Sequence, residues 1–112
     1  MANSYNSTQA YKIARHFQYK NGVNVESITS AKTLLYSDSM FQIINSGGAG
    51  ANDINLPSPK NGAFFAITAV AASTQNLVVK DHDGATITTL ASSGEGCIVV
   101  CDGDDWYGVI KG

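Results

Sequence analysis

Residues 97–110 read CIVVCDGDDWYGVI and contain two short apolar runs on either side of an acidic turn. Aspartate and glycine supply the positive φ angles that tight hairpin turns require, so the stretch predicts a terminal β-hairpin. Trp106 is the only tryptophan of the chain and follows the turn directly. At the start of the second strand, such a large aromatic ring can cover one end of a hydrophobic core. The strand itself pairs with a sheet edge that would otherwise be open.

The same pattern of short apolar runs and turn residues extends back to Val23. Valine, isoleucine, threonine and aromatic residues dominate the runs, as β-strands prefer, and VNVESI alternates with the period of a half-buried strand. The other runs are KTLLYS, MFQIINS, NDINLP, AFFAITAVA, NLVVKD, ATITTL, CIVVCD and WYGVI. SPKNG, DHDG and DGDD are candidate tight turns, whereas SGGAGAND and SSGEG are candidate loops.

These features predict an all-β domain over residues 23–112. Roughly eight or nine short strands, with turn signals every 8–12 residues or so, are typical of a single small β-sandwich or a jelly-roll-like barrel. No segment has the length and period of a crossover helix, which disfavours an α/β fold. The 112-residue chain has the size of one domain.

The N-terminal segment, residues 1–22, differs in composition. It carries three of the seven basic residues and no acid, whereas residues 81–105 carry six of the nine acids and neither lysine nor arginine. Its helical stripe is Ala10, Ile13, Ala14 and Phe17, at the i, i+3, i+4, i+7 spacing. The alternative is an extended arm, because 20 residues can reach about 65 Å. The segment is therefore predicted to be a short helix or an arm.

Composition and cysteine spacing limit the class of protein. Only 14% of residues are charged, against about 25% in typical domains, which favours a surface that faces other protein. No apolar run approaches the roughly 18 residues of a membrane helix. Cys97 and Cys101 share a strand face about 13 Å apart, too far for a disulfide. They are expected to be free, buried thiols, consistent with assembly in a reducing cytosol.

No motif predicts catalysis, a cofactor or a metal. In DHDG, Gly84 is at the fourth position and Ser92 at the twelfth, whereas an EF-hand loop needs glycine at the sixth and glutamate at the twelfth. The two histidines, His16 and His82, come without a nucleophile motif such as G-x-S-x-G. A pI near 5.4 opposes nucleic-acid binding. We therefore expect no enzyme, no metal and no cofactor.

Three stretches together resemble a small β-module of tailed-phage virion proteins. They are INLPSPKNGAFFAI, NLVVKDHDGATI and VVCDGDDWYGVI, and with the strand before them the resemblance covers about residues 41–110. Modules of this kind occur in capsid decoration (cement) proteins, head fibres and tail fibres, often as trimers. The resemblance carries no binding residue over to residues 1–22.

The resemblance implies a structural virion protein that decorates and stabilises a phage capsid by binding the shell of major capsid protein, as a homotrimer. Its place would be the capsid surface of the virion, after assembly in the host cytoplasm. A single short module without repeats fits a decoration protein better than a long tail fibre. The alternatives are an adaptor or fibre base of a phage appendage, and a carbohydrate-binding β-module in which Trp106 and Tyr107 form a stacking platform. An exposed Trp106 would favour the sugar hypothesis, and a buried one would oppose it.

The basic and aromatic residues of the N-terminal segment are the predicted partner-binding residues. Aromatic residues and arginine anchor many protein interfaces, and the segment has little else with which to form a core. We expect it to include the main contacts with the capsid or a neighbouring subunit. The predicted contact residues are Tyr5, Tyr11, Lys12, Arg15, Phe17 and Tyr19.

Overall fold

The structure is a computed structural model that describes residues 22–111, with side chains described over residues 22–108. The predicted arm or helix over residues 1–22 thus lies outside the described residues, apart from Gly22. The described residues form nine β-strands and no helix, so this part of the chain contains no helix that could cross a membrane. The strands are β1 (Val23–Ile28), β2 (Lys32–Thr33), β3 (Phe41–Ser46), β4 (Asn52–Asn55), β5 (Phe64–Ala69), β6 (Leu77–Lys80), β7 (Thr86–Leu90), β8 (Gly96–Cys101) and β9 (Trp106–Lys111).

The strands form two sheets that pack around one core. The five-stranded sheet has the order β1-β3-β5-β8-β9, and the four-stranded sheet has the order β2-β4-β6-β7. This confirms the predicted all-β fold as a small sandwich. The predicted terminal hairpin is confirmed too, because β8 and β9 pair antiparallel with Cys101 opposite Trp106.

The strand pairing differs from that of an antiparallel jelly roll, because many of the neighbouring strands are parallel. In the first two-thirds of the domain the chain alternates between the sheets, so β1, β3 and β5 are parallel neighbours in one sheet, and β2, β4 and β6 in the other. Parallel neighbours need a long crossover connection. Each crossover passes here through a strand of the opposite sheet instead of a helix. The chain then reverses at the β6–β7 hairpin, and β5–β8 and β8–β9 are antiparallel.

Two predicted elements differ in detail from the structure. Only Lys32 and Thr33 of KTLLYS form a strand, because the Asp38 carboxylate accepts a hydrogen bond from the backbone N–H of Leu35 at 2.8 Å and closes a turn. SPKNG does form a turn, with Gly62 at φ 80°. However, it connects β4 and β5, which lie in different sheets, so it is a crossing between sheets and not a hairpin turn.

The core lies between the two sheets and has aliphatic and aromatic side chains from both. Leu34, Ile44, Ile54, Ile67 and Val99 are fully buried. At the end of the sandwich where β3 ends, the core is closed by polar side chains. There Asn52 donates to Ser46 Oγ at 2.8 Å and to the Gly47 carbonyl at 2.9 Å. No buried side-chain nitrogen or oxygen in the described residues is without a hydrogen-bond partner.

The two long sides of the sandwich are closed differently. On one side, Lys32 of β2 lies 2.7 Å from the Glu26 carboxylate of β1, so an ion pair joins the edge strands of the two sheets. On the other side, the backbone of β9 lies close to β7. A Cβ atom added to Gly108 would lie only 2.9 Å from Ile87 Cγ2, so glycine permits this close approach.

Candidate protein-binding surface

Trp106 lies inside the domain and caps one end of the core. It is 5% exposed, and its ring centroid lies 5.9 Å from that of Phe65. Phe65 in turn stacks on Tyr36 at 6.5 Å, and Lys60 Nζ lies 5.3 Å from the centre of the Tyr36 ring. The predicted capping role of Trp106 is thus confirmed. A ring buried in this way cannot stack on a sugar, so the structure opposes the Trp106–Tyr107 platform.

The surroundings of the two cysteines indicate a structural role. Both are free and buried, as expected from their spacing. Burial raises the pKa of the Cys97 thiol to about 11, so it is protonated and unreactive at neutral pH. Cys101 Sγ accepts hydrogen bonds from the backbone N–H groups of Lys60 at 3.3 Å and Gly103 at 3.4 Å. Its sulfur therefore ties the β4–β5 connection to the terminal hairpin.

In the two acidic turns, aspartate carboxylates accept hydrogen bonds from backbone N–H groups. Asp81 Oδ1 accepts the N–H groups of Asp83 and Ala85, each at 2.9 Å. Asp102 Oδ1 accepts those of Asp104 and Asp105, each at 2.9 Å. These backbone donors, that of Asp105 first, hold the pKa of Asp102 below its ordinary value. Within residues 22–111, no group of three or more histidine, cysteine or acidic side chains could hold a metal ion.

A shallow pocket of about 450 Å³ lies near the aromatic stack. Its lining is mainly apolar and includes Leu35, Tyr36 and Pro57, together with the imidazole ring of His82. His82 Nε2 lies 3.3 Å from the Asp83 carboxylate. The Tyr36 hydroxyl donates to the Ser58 carbonyl. The pocket therefore offers a place for an apolar group.

Five of the seven exposed large apolar side chains described lie on the outer face of the five-stranded sheet, called here the apolar sheet face. Strand register places Val23, Phe41, Ala66 and Ile98 in one row across the sheet. Val25 is 71% exposed, the highest value among the large apolar residues described, and Val23 and Tyr107 are each about half exposed, at 54% and 51%. The apolar sheet face comprises Val23, Val25, Phe41, Ile43, Phe64, Ala66, Ile98, Val100 and Tyr107.

No charged side chain occupies the outward strand positions described on this face, and the Asp102 carboxylate meets Tyr107 at its border. The other outward positions of β1, β3, β5 and β8 are occupied by Ser27, Asn45, Thr68 and Gly96. The outer face of the four-stranded sheet is mostly polar in contrast, with Val78 as an apolar member. Asp53 and Lys80 form an ion pair there at 3.1 Å, beside Asn55 and Thr89. A large, uncharged apolar patch on only one side of a sandwich is typical of a protein interaction surface.

The predicted partner-binding residues and the apolar sheet face are different parts of the chain. Tyr5, Tyr11, Lys12, Arg15, Phe17 and Tyr19 all lie outside the described residues, so their role stays a prediction. The sequence did carry a signal for the apolar sheet face. Strands such as CIVVC and AFFAI are apolar at successive positions, which indicates a sheet with both faces covered.

The three stretches that resemble the phage virion module lie at defined places in the fold. INLPSPKNGAFFAI contains the crossing from β4 to β5, NLVVKDHDGATI the β6–β7 hairpin, and VVCDGDDWYGVI the β8–β9 hairpin. Comparison of the chain with protein-family models, curated proteins and solved structures gives no match. The resemblance therefore remains a hypothesis drawn from the residues.

Proposed function

We propose that the protein is a structural virion protein that decorates a phage capsid by binding the shell of major capsid protein, as a homotrimer. The observation that carries the proposal is the apolar sheet face, whose described outward strand positions are half-buried or exposed and hold no charged side chain. Exposure of such a surface is costly for a protein that works alone, since about 25 cal/mol is gained per Å² of apolar area buried. The proposed role gives this surface a protein partner.

Three further observations support a structural role over a catalytic one. The charged fraction of the whole chain is 14%, which suits a molecule surrounded by other protein. The aspartates of the acidic turns hold turns together, and the buried thiols fill the core. The quoted stretches resemble virion modules. An adaptor or fibre base shares all these features, and differs in its copy number per particle.

Co-sedimentation with capsids tests the proposal. The full chain is mixed with capsids of the phage that encodes it, purified without this protein, and pelleted through a density cushion. We expect the protein to pellet with capsids at saturable, high copy number, and to remain in the supernatant without them. Saturation at only a few copies per particle would favour the adaptor role. No pelleting at any concentration would contradict binding to the shell.

A further inference from the structure

We infer that the apolar sheet face is the surface through which copies of this chain associate, with the faces of three copies turned toward a common threefold axis. The inference rests on the homotrimer of the proposed function and assigns its interface. It leaves the outer face of the four-stranded sheet on the outside, where a shell could be contacted.

The chemistry of the face favours a second copy of the same chain as its occupant. A partner that binds by charge would require countercharges, and the outward positions described on this sheet have none. An apolar surface is complementary to itself. Interfaces between identical subunits are the more apolar class and resemble a domain core cut in half. Val25, Ile43 and Val100 are aliphatic residues, like those of a domain core.

The width of the sheet fits three copies. Neighbouring strands lie about 4.8 Å apart, so five strands form a face about 19 Å wide. Three faces of this width can be set as the sides of a triangle, and each then lies about 5.5 Å from the central axis. Packed sheets are separated by roughly 10 Å, and half of that separation is close to this distance. Four faces set as a square lie about 9.5 Å from the axis and leave a hollow centre. Two copies packed face to face also reach the normal spacing, so the measured mass separates a dimer from a trimer.

The experiment introduces one lysine into the face of the full chain. Val25→Lys and Val100→Lys are made separately. Thr89→Lys is the matched control, because it also replaces a β-branched residue with lysine but lies on the outer face of the four-stranded sheet. Mass is measured by sedimentation equilibrium over a wide concentration range, and circular dichroism checks the fold. We expect a trimer for the unmodified chain and for T89K, and a folded monomer for V25K and V100K.

A milder pair of variants covers the case in which lysine prevents folding. Val25→Thr and Val100→Thr keep a β-branched side chain and remove apolar contact, and each should weaken association by about tenfold or more. Folded V25K, V100K and threonine variants that stay trimeric with unchanged affinity would overturn the inference, as would a monomer or dimer of the unmodified chain. A trimer that V25K dissociates, but that does not pellet with capsids, would support this interface and contradict the capsid role.

Discussion

The indole nitrogen of Trp106 donates a hydrogen bond to the carbonyl oxygen of Pro57 at 2.9 Å. The bond joins the first residue of β9 to the connection between β4 and β5, which lies 49 positions earlier in the chain. The same ring packs on Phe65 of β5. One side chain therefore ties the terminal hairpin to the crossing between the two sheets.

Replacement of Trp106 should separate its packing from its hydrogen bond. Trp106→Ala removes both and should cost about 3–5 kcal/mol of unfolding free energy, as for other large buried aromatics. Trp106→Phe keeps a ring against Phe65 but leaves the Pro57 carbonyl without its donor, at a cost of about 1–3 kcal/mol. Urea unfolding at one fixed protein concentration measures both. Equal losses in the two variants would contradict a packing role for the ring.

The local elements of this fold could be predicted from sequence because their signals are local. The strand around Val25 shows its alternation within six residues, and the turn at Asp102 carries its own acidic and glycine residues. The burial of Trp106 followed from its place just after that turn. Each of these features depends on near neighbours in the chain.

The pairing of strands could not be predicted in the same way. SPKNG has the residues of a hairpin turn, yet Gly62 turns the chain into the opposite sheet. The sequence of a strand such as VNVESI does not indicate that its neighbour is β3 in parallel register. That pairing depends on side chains packed across the core. The apolar sheet face depends on pairing too, since Val23, Phe41 and Ala66 become neighbours only in the assembled sheet.

Gly108→Ala should destabilise the domain through a clash with Ile87. The new Cβ would lie 2.9 Å from Ile87 Cγ2, which is too close, and overpacking of this kind costs about 1–3 kcal/mol. Gly50→Ala is the matched control, because a Cβ there has no atom within 4 Å. In the Ile87→Ala background, which lacks Cγ2, the cost of G108A should shrink. Thermal unfolding of the four combinations gives this coupling, and strict additivity would refute the contact.

The ion pair between Lys32 and Glu26 should make stability depend on acid pH. The hydrogen bond from Lys32, joined by one from Asn24, holds the pKa of Glu26 below its ordinary value of 4.5. A folded-state pKa below the unfolded one means that the stabilisation is present above pH 4.5 and is lost as pH falls through the folded-state value. Since both side chains are partly exposed, we expect the ion pair to contribute about 0.2–1 kcal/mol to the unfolding free energy.

Lys32→Gln isolates this contribution from those of other carboxylates. The unfolding free energy of the variant should lie below that of the unmodified chain at pH 7, and the two should converge as Glu26 becomes protonated. High salt should narrow the gap at pH 7 as well. Urea titrations at a series of pH values measure the difference. A gap that stays unchanged as pH falls from 4.5 to the lowest value at which the chain still folds would show that Lys32 acts by packing and not by charge.

Cys97 should lower stability at alkaline pH. Burial raises its pKa from 9.0 to about 11, so above pH 9 the unfolded chain loses a proton that the folded chain keeps. The unfolding free energy should therefore fall as pH rises from 9 toward 11, by about 2 kcal/mol in total. Cys97→Ala should lack this part of the decline. The same decline in both chains would assign it to other groups.

Deletion of residues 1–20 should leave the β-domain folded. The first described strand begins at Val23, and the described core extends from Ile28 to Trp106, so the sheets and the core lie in the retained part. Far-UV circular dichroism of the truncated chain should show β-structure, and its unfolding should remain cooperative. Under the interface assigned above, it should also remain a trimer. A truncated chain that fails to fold would mean that the segment belongs to the domain itself.

The same deletion should weaken capsid binding far more than a change in the acidic turns does. Tyr5, Tyr11, Lys12, Arg15, Phe17 and Tyr19 carry the predicted contacts, whereas Asp104→Asn changes an exposed turn residue and serves as the control. Within the segment, loss of Lys12 and Arg15 should mainly slow association, and loss of the rings should mainly speed dissociation. Co-sedimentation gives the affinities, and surface plasmon resonance on immobilised capsids gives the rates. If the truncated trimer binds capsids as tightly as the full chain, the shell must be contacted by the β-domain, with the four-stranded sheet as the first surface to mutate.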